Sequence, residues 1–242
     1  MELFLMFLIF CCSPHLFAQD SAQLKSPWSH ESEAAVVKVN GNTASESYSA
    51  KQKTIYKVDS NSLAIAGSYL QSKALGTETA KAWDVSLRYE KALSEIWSAF
   101  IQQGSESNTY AGYLQRDNTD VGGKYTFIKS ETENAFLEAG ARSTKTLSSQ
   151  GFATKTENFG RLYTEYTRKI NASVSAKAWV EYLPNFTDSE AYLLNYEPSL
   201  SVLMNRIFSL KIAYLVKFHN KILVATEQKE DTTFTTSLVA KF

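Results

Sequence analysis

His219 stands beside Asn220 at the end of an alternating segment, and a histidine next to a polar orienting side chain is part of what activates a serine nucleophile. No neighbouring segment supplies a distinctive serine motif, so His219 reads as an interfacial histidine. Beyond the first residues the one other imidazole is His30, and neither histidine sits in metal-ligand spacing. Facing carboxylates, Asp84 with Glu90 and Glu138 with Glu165, are the residue types that acid and base chemistry uses. Lysines and arginines accompany them throughout, which makes ion pairing the better reading. Gly122-Gly123 precedes no helix and is no phosphate loop; a close strand contact explains it. The sequence therefore assigns no catalytic, cofactor-binding or metal-ligating residue.

The elements that carry these residues begin after an apolar run, Leu3 to Phe10, which is too short to span a bilayer and suits the core of an export signal. Glu2 replaces the usual positive charge, and Ala18 is the small residue before the expected cut. A lipid-modified Cys11 is the weaker alternative, because Phe10 precedes it. Cys11 and Cys12 are the only cysteines in the 242 residues, so the exported chain would hold no disulfide and no thiolate. With 25 basic and 25 acidic side chains the formal charge is zero, which gives no reason to expect a nucleic-acid partner.

After the signal no apolar stretch is long enough for a helical span, and the recurring pattern has period two. In Leu210 to Phe218 one face holds Leu210, Ile212, Tyr214, Val216 and Phe218, while Lys211 and Lys217 take the other. Trp83, Val85, Leu87 and Tyr89 sort in the same way against Asp84, Arg88 and Glu90. The expected strands are 30–41, 45–58, 62–73, 79–91, 95–105, 116–128, 134–146, 156–169, 172–183, 191–204, 207–219 and 230–242. The first is weak because Ala34 to Val37 run together, and Ile96 to Ile101 mixes its faces.

Alternate connections are tight, as at Asp59-Ser60 and Asn205-Arg206, while Gly104 to Gln115, Leu147 to Lys155 and Asn220 to Lys229 are expected to be long loops. Short turns on one rim and long loops on the other is the outer-membrane barrel pattern. Aromatic residues near strand ends support it, because amphipathic rings favour the two membrane interfaces. Tyr56, Tyr89, Phe127, Tyr166, Phe208 and Phe242 fall on the tight-turn side, and Tyr48, Tyr69, Trp83, Tyr182, Tyr192 and Phe218 on the other. The polar faces then line the lumen, with Lys51, Lys53, Asp84, Arg88, Glu138, Arg142, Arg161, Glu165, Lys177, Glu181, Glu197 and Lys211 as its candidate residues. Phe242 ends an alternating strand and is a candidate signal for barrel assembly.

Three segments together carry a family resemblance: Val39 to Ser47, Ser86 to Glu90 leading to Leu93-Ser94-Glu95-Ile96-Trp97, and Lys229 to Val239. The chain resembles the YdiY-like, salt-induced outer-membrane protein family (DUF481) from about Trp28 to Phe242. The resemblance implies an outer-membrane barrel and names no reaction.

The sequence thus leads to an all-β fold, a closed antiparallel up-and-down transmembrane β-barrel of about twelve strands. Residues 1–18 are the expected signal peptide, 19–29 a short periplasmic segment and 30–242 the barrel. The expected location is the bacterial outer membrane, and the expected role is a narrow passive pore or a structural envelope component, with no enzyme activity and no cofactor. Expected partners are outer-membrane lipid, and the barrel assembly machinery and periplasmic chaperones during biogenesis; the barrel itself is expected to be a monomer. A periplasmic soluble barrel or sandwich that binds a ligand, and an outer-membrane enzyme with its site at the loop rim, are the alternatives.

Overall fold

A computed structural model describes residues 26–41, 44–149, 153–188, 190–221 and 228–242. The expected signal peptide lies outside the described residues, as do parts of four connections. Twelve strands follow one another: β1 (Trp28–Val39), β2 (Ser45–Val58), β3 (Asn61–Ala74), β4 (Thr77–Ala92), β5 (Trp97–Asn108), β6 (Tyr113–Lys129), β7 (Glu133–Ser148), β8 (Thr154–Lys169), β9 (Val174–Pro184), β10 (Tyr192–Leu203), β11 (Phe208–His219) and β12 (Glu230–Lys241). Each pairs antiparallel with its chain neighbours, and β1 pairs with β12 to close the barrel. Closure continues past the last strand, where His30 N donates to Phe242 O at 2.7 Å and Phe242 N to His30 O at 3.1 Å. The start of β1 and the end of β12 therefore share the rim that carries the tight turns.

Those turns repeat one chemical device. Ser94 and Ser130 accept backbone N–H bonds through Oγ, from Trp97 and from Glu133, and Asn171 and Asn205 do the same through Oδ1 for Val174 and Phe208. Short polar side chains bonding the backbone a few residues ahead fix a turn where no ladder partner exists. On the opposite rim β3 and β4 join through Leu75-Gly76, both in the left-handed region at φ 49° and 80°, a two-residue geometry that matches strand twist.

Two expected long loops are shorter than the sequence suggests. β5 runs on to Asn108, a single 3-10 turn (Thr109–Ala111) follows, and β6 resumes at Tyr113, so most of Gly104 to Gln115 is strand. Likewise β7 reaches Ser148 and β8 resumes at Thr154. The polar character that suggested loops there belongs to strand ends that are polar on both faces, such as Ser105 to Asn108 and Gln115 to Asn118. β1 begins at Trp28, within the stretch expected to be a separate periplasmic segment. The mixed Ile96 to Ile101 stretch resolves into Trp97, Ala99 and Ile101 outward and Ser98, Phe100 and Gln102 inward; the inward Phe100 is what blurred the pattern.

The outer face is apolar and open. Ile65, Leu87, Ile101, Val121, Leu137, Leu162, Leu200, Ile212 and Leu238 are exposed on nine different strands, Ile65 at 53% and Val121 at 57%. A belt of this kind far exceeds the apolar patches that soluble monomers expose. Aromatic clusters edge the belt on both sides. Trp28 packs on Tyr56 and Trp97 on Tyr125 at the tight-turn rim, and Tyr182, Tyr192 and Phe218 form a row towards the loop rim.

Candidate functional site: the charged barrel interior

Alternation that sends the apolar residues outward sends the charged ones inward, and their contacts show how far inward they reach. Arg88 on β4 makes a two-pronged bond to Glu138 on β7, at 2.7 and 3.2 Å, although β5 and β6 lie between. Side chains from strands that are not neighbours meet only across the interior. The wall between them is prepared for the crossing. The Arg88 guanidinium carbon lies over the Phe100 ring of β5, 3.9 Å from its centroid. Phe100 itself fits because Gly122 is its register partner and Gly140 comes next: a Cβ on Gly122 would sit 2.9 Å from the ring.

From Glu138 the network continues around the wall. Arg161 bonds Glu138 at 2.7 Å and Glu181 at 2.7 Å; Arg142 bonds Asp120 at 2.6 and 2.8 Å and reaches Glu181 at 3.2 Å. On its other side Arg88 also bonds Glu90, which holds Lys124 at 3.1 Å. Four cations face four carboxylates, and every one has an opposite charge within a salt-bridge distance. Charges packed this closely persist only when paired and hydrogen-bonded.

A second cluster occupies the arc from β10 to β2. Lys211 lies 3.1 Å from Glu33 and 3.4 Å from Glu197, Lys51 lies 3.9 Å from both carboxylates, and Ser237 donates to Glu33 at 2.8 Å. Lys51 and Glu197 come from strands four apart around the wall, with β1, β12 and β11 between them. Nearer the tight-turn rim Lys177 pairs with Glu165 at 2.8 Å, and Tyr163 donates to the same carboxylate. A cavity of about 100 Å³ opens below, between Lys177, Lys211, Lys241 and serines such as Ser175 and Ser201.

The arc beside β3 carries small inward side chains. Its inward residues are Ala64, Ala66, Ser68 and Leu70, and Asp84 on β4 accepts a bond from Ser68. Lys53, opposite Glu31 and Ala66 in register, is exposed along this side. All twelve charged residues expected to line the lumen therefore lie on strands, and most join one of these clusters. Sequence reasoning left Glu33, Asp120 and Phe100 out. The parity of Asp120 with Lys124 was a usable signal, whereas Glu33 sits in a strand whose alternation breaks at Ala34 to Val37.

At the loop rim Asp188 and Lys221 join the β9–β10 and β11–β12 connections at 2.6 Å. The bond from the Lys221 ammonium holds the Asp188 carboxyl below the usual carboxylate range. Asn220 adds a bond to the Glu190 carbonyl.

The family described as "Protein of unknown function, DUF481" matches residues 32–242. The chain belongs to the DUF481 family. The match covers the whole barrel from early in β1 to the terminal Phe242. Among solved structures the DUF481 barrel is similar to the NanC porin, with a TM-score of 0.51 and 10% identity over 88% of this chain and 97% of that one. It is also similar to an outer membrane channel from Pseudomonas putida F1, with a TM-score of 0.51 and 12% identity over 93% and 98% of the two chains. At such identity the likeness is one of fold, and the fold is that of outer-membrane β-barrels. No curated protein matches the sequence.

Proposed function

We propose that the DUF481 barrel is a monomeric outer-membrane pore, narrow and passive, whose lumen is restricted by two charge-balanced clusters. The observation that carries this reading is the pairing of Arg88 with Glu138 across two intervening strands, which fills one arc of the interior while the arc beside β3 keeps small side chains. A barrel of about twelve strands leaves limited space once its wall is lined with arginine and glutamate. Water and small solutes would pass along β3, between Lys53, Lys51 and Asp84. Because cations and carboxylates balance in each cluster, the pore would discriminate weakly by charge.

In this reading the first 18 residues are removed on export, and the tight turns and both chain ends face the periplasm. Phe242 would present the chain to the barrel assembly machinery after periplasmic chaperones deliver it, and outer-membrane lipid would cover the apolar belt. The interior pairs serve structure and selectivity, not bond making.

The test is fractionation of the tagged protein followed by conductance of the detergent-purified material in planar bilayers. Discrete steps from an outer-membrane fraction support the pore. An inserted but electrically silent protein removes the pore and leaves a structural barrel; recovery as a soluble periplasmic protein removes the membrane reading.

A further inference from the structure

The barrel wall is not equally closed all the way round. The β1–β12 ladder runs from Glu31 opposite Lys241 to Ala34 opposite Leu238 and stops there. Both strands continue towards the loop rim: β1 stays paired with β2 as far as Val39, and β12 stays paired with β11 as far back as Glu230. Ala35 to Val39 and Glu230 to Ser237 thus have no ladder partner on the opposite strand, although the Ser237 hydroxyl still reaches Glu33. In a bilayer an unmet strand edge is costly, because hydrocarbon offers its N–H and C=O groups no partner. Water from the lumen is the available substitute, so the slot joins the polar interior to the apolar exterior.

Its lining is of two kinds. Phe234, at 68%, is the most exposed aromatic residue of any described strand, and Val36 on β1 is also exposed. Both point outward by the alternation that sends Glu33 inward. The inward positions flanking the slot are Val37, Val39, Thr233 and Thr235, apolar or hydroxylic and without charge, and Val37 is 58% exposed. A partner that bonds the edges with a polar head and lays a hydrocarbon chain along Val36, Val37 and Phe234 fits both surfaces. A second copy fits less well, since its own seam would have to open in the same half and two convex walls bring only their outer faces together.

We infer that the β1–β12 slot is a lateral opening that admits the acyl chain of a bilayer amphiphile from the membrane into the lumen. This rests on the membrane reading above, and the test separates the two. A benzophenone side chain is placed at inward Val37, at inward Ala66 on β3 as the closed-wall control, and at outward Ile65 as the lipid-facing control. Each full-length variant is reconstituted in vesicles of phosphatidylethanolamine and phosphatidylglycerol, irradiated, and analysed by mass spectrometry for lipid adducts. The slot predicts adducts at Val37 comparable with Ile65 and several-fold above Ala66. It also predicts their loss when Val36→Cys and Thr236→Cys, which face each other if the ladder is extended, are joined by a disulfide. Lipid adducts at Ile65 with none at Val37 overturn the slot and keep the membrane barrel. Protein dimers cross-linked through Val37 overturn it in favour of a second copy, and no adduct at Ile65 removes the membrane reading and the slot together.

Discussion

Arg88 and Glu138 meet at 2.7 Å although β5 and β6 separate their strands, and the Arg88 guanidinium rests on the Phe100 ring on its way across. Glu138 is buried and also receives Arg161, so it neutralises two cations at once. Replacing it with glutamine leaves both arginines short of a partner. We expect Glu138→Gln to cost about 3 kcal/mol, the lower end for breaking a buried pair because the lumen is hydrated. Urea unfolding of the barrel folded into lipid vesicles measures this; a loss under about 1 kcal/mol, typical of exposed pairs, would show that the cluster is solvated and independent.

Gly122 and Gly140 are register partners, and a Cβ on Gly140 would run into the Val121 carbonyl while one on Gly122 would lie 2.6 Å from the Ala139 carbonyl. Backbone cannot yield as a flexible side chain does. Gly140→Ala should therefore destabilise by about 1–3 kcal/mol, as overpacking does. Gly104→Ala is the control, since its Cβ would meet neighbours at 3.6 and 3.7 Å, ordinary contact distances. Equal folding yields for the two variants would contradict the close approach.

Leu87 and Ser86 are chain neighbours on opposite faces of β4. If the outer face meets hydrocarbon, Leu87→Arg near the midplane should cost about 2–4 kcal/mol, whereas Ser86→Arg, entering the lumen, should cost much less. Refolding into vesicles in urea reads both. A neutral Leu87→Arg would mean that the belt faces water.

Asp188 and Lys221 tie two connections at the loop rim, and the Lys221 bond lowers the Asp188 carboxyl. A carboxyl lowered in the folded state contributes its stabilisation above its ordinary value, about 4, and loses it as pH falls through the lowered value. A nitroxide at Glu190 should accordingly show constant mobility from neutral pH down to about 5 and a rise only under more acidic conditions. Asp188→Asn should show the raised mobility already at neutral pH and keep it without a transition as the pH falls. A transition near neutrality would assign the tie to another group.

The strand plan was legible because a two-sided wall needs strict alternation, and runs such as Trp83 to Tyr89 show it without tertiary information. The turns were legible for a similar reason: Ser94, Ser130, Asn171 and Asn205 are local devices that bond the backbone within a few residues. What connects across the barrel was not. That Arg88 finds Glu138 and not Glu106, or that Lys51 reaches Glu197, depends on the tilt and closure of the sheet, which no local pattern encodes. Phe100 was hidden because an aromatic residue on an inner face violates the outward rule, and its reason, the paired glycines across from it, lies on two other strands. Loop lengths were overread because strand ends above the belt are polar on both faces.

The most direct test of the account is single-channel conductance of the wild-type protein beside an Arg88→Ser, Arg161→Ser double variant, in planar bilayers at moderate salt. A narrow pore throttled by the arginine and glutamate cluster predicts small discrete steps for the wild type and larger ones for the variant, whose interior loses two long side chains. Inserted protein that gives no steps in either form, or identical steps in both, would contradict it.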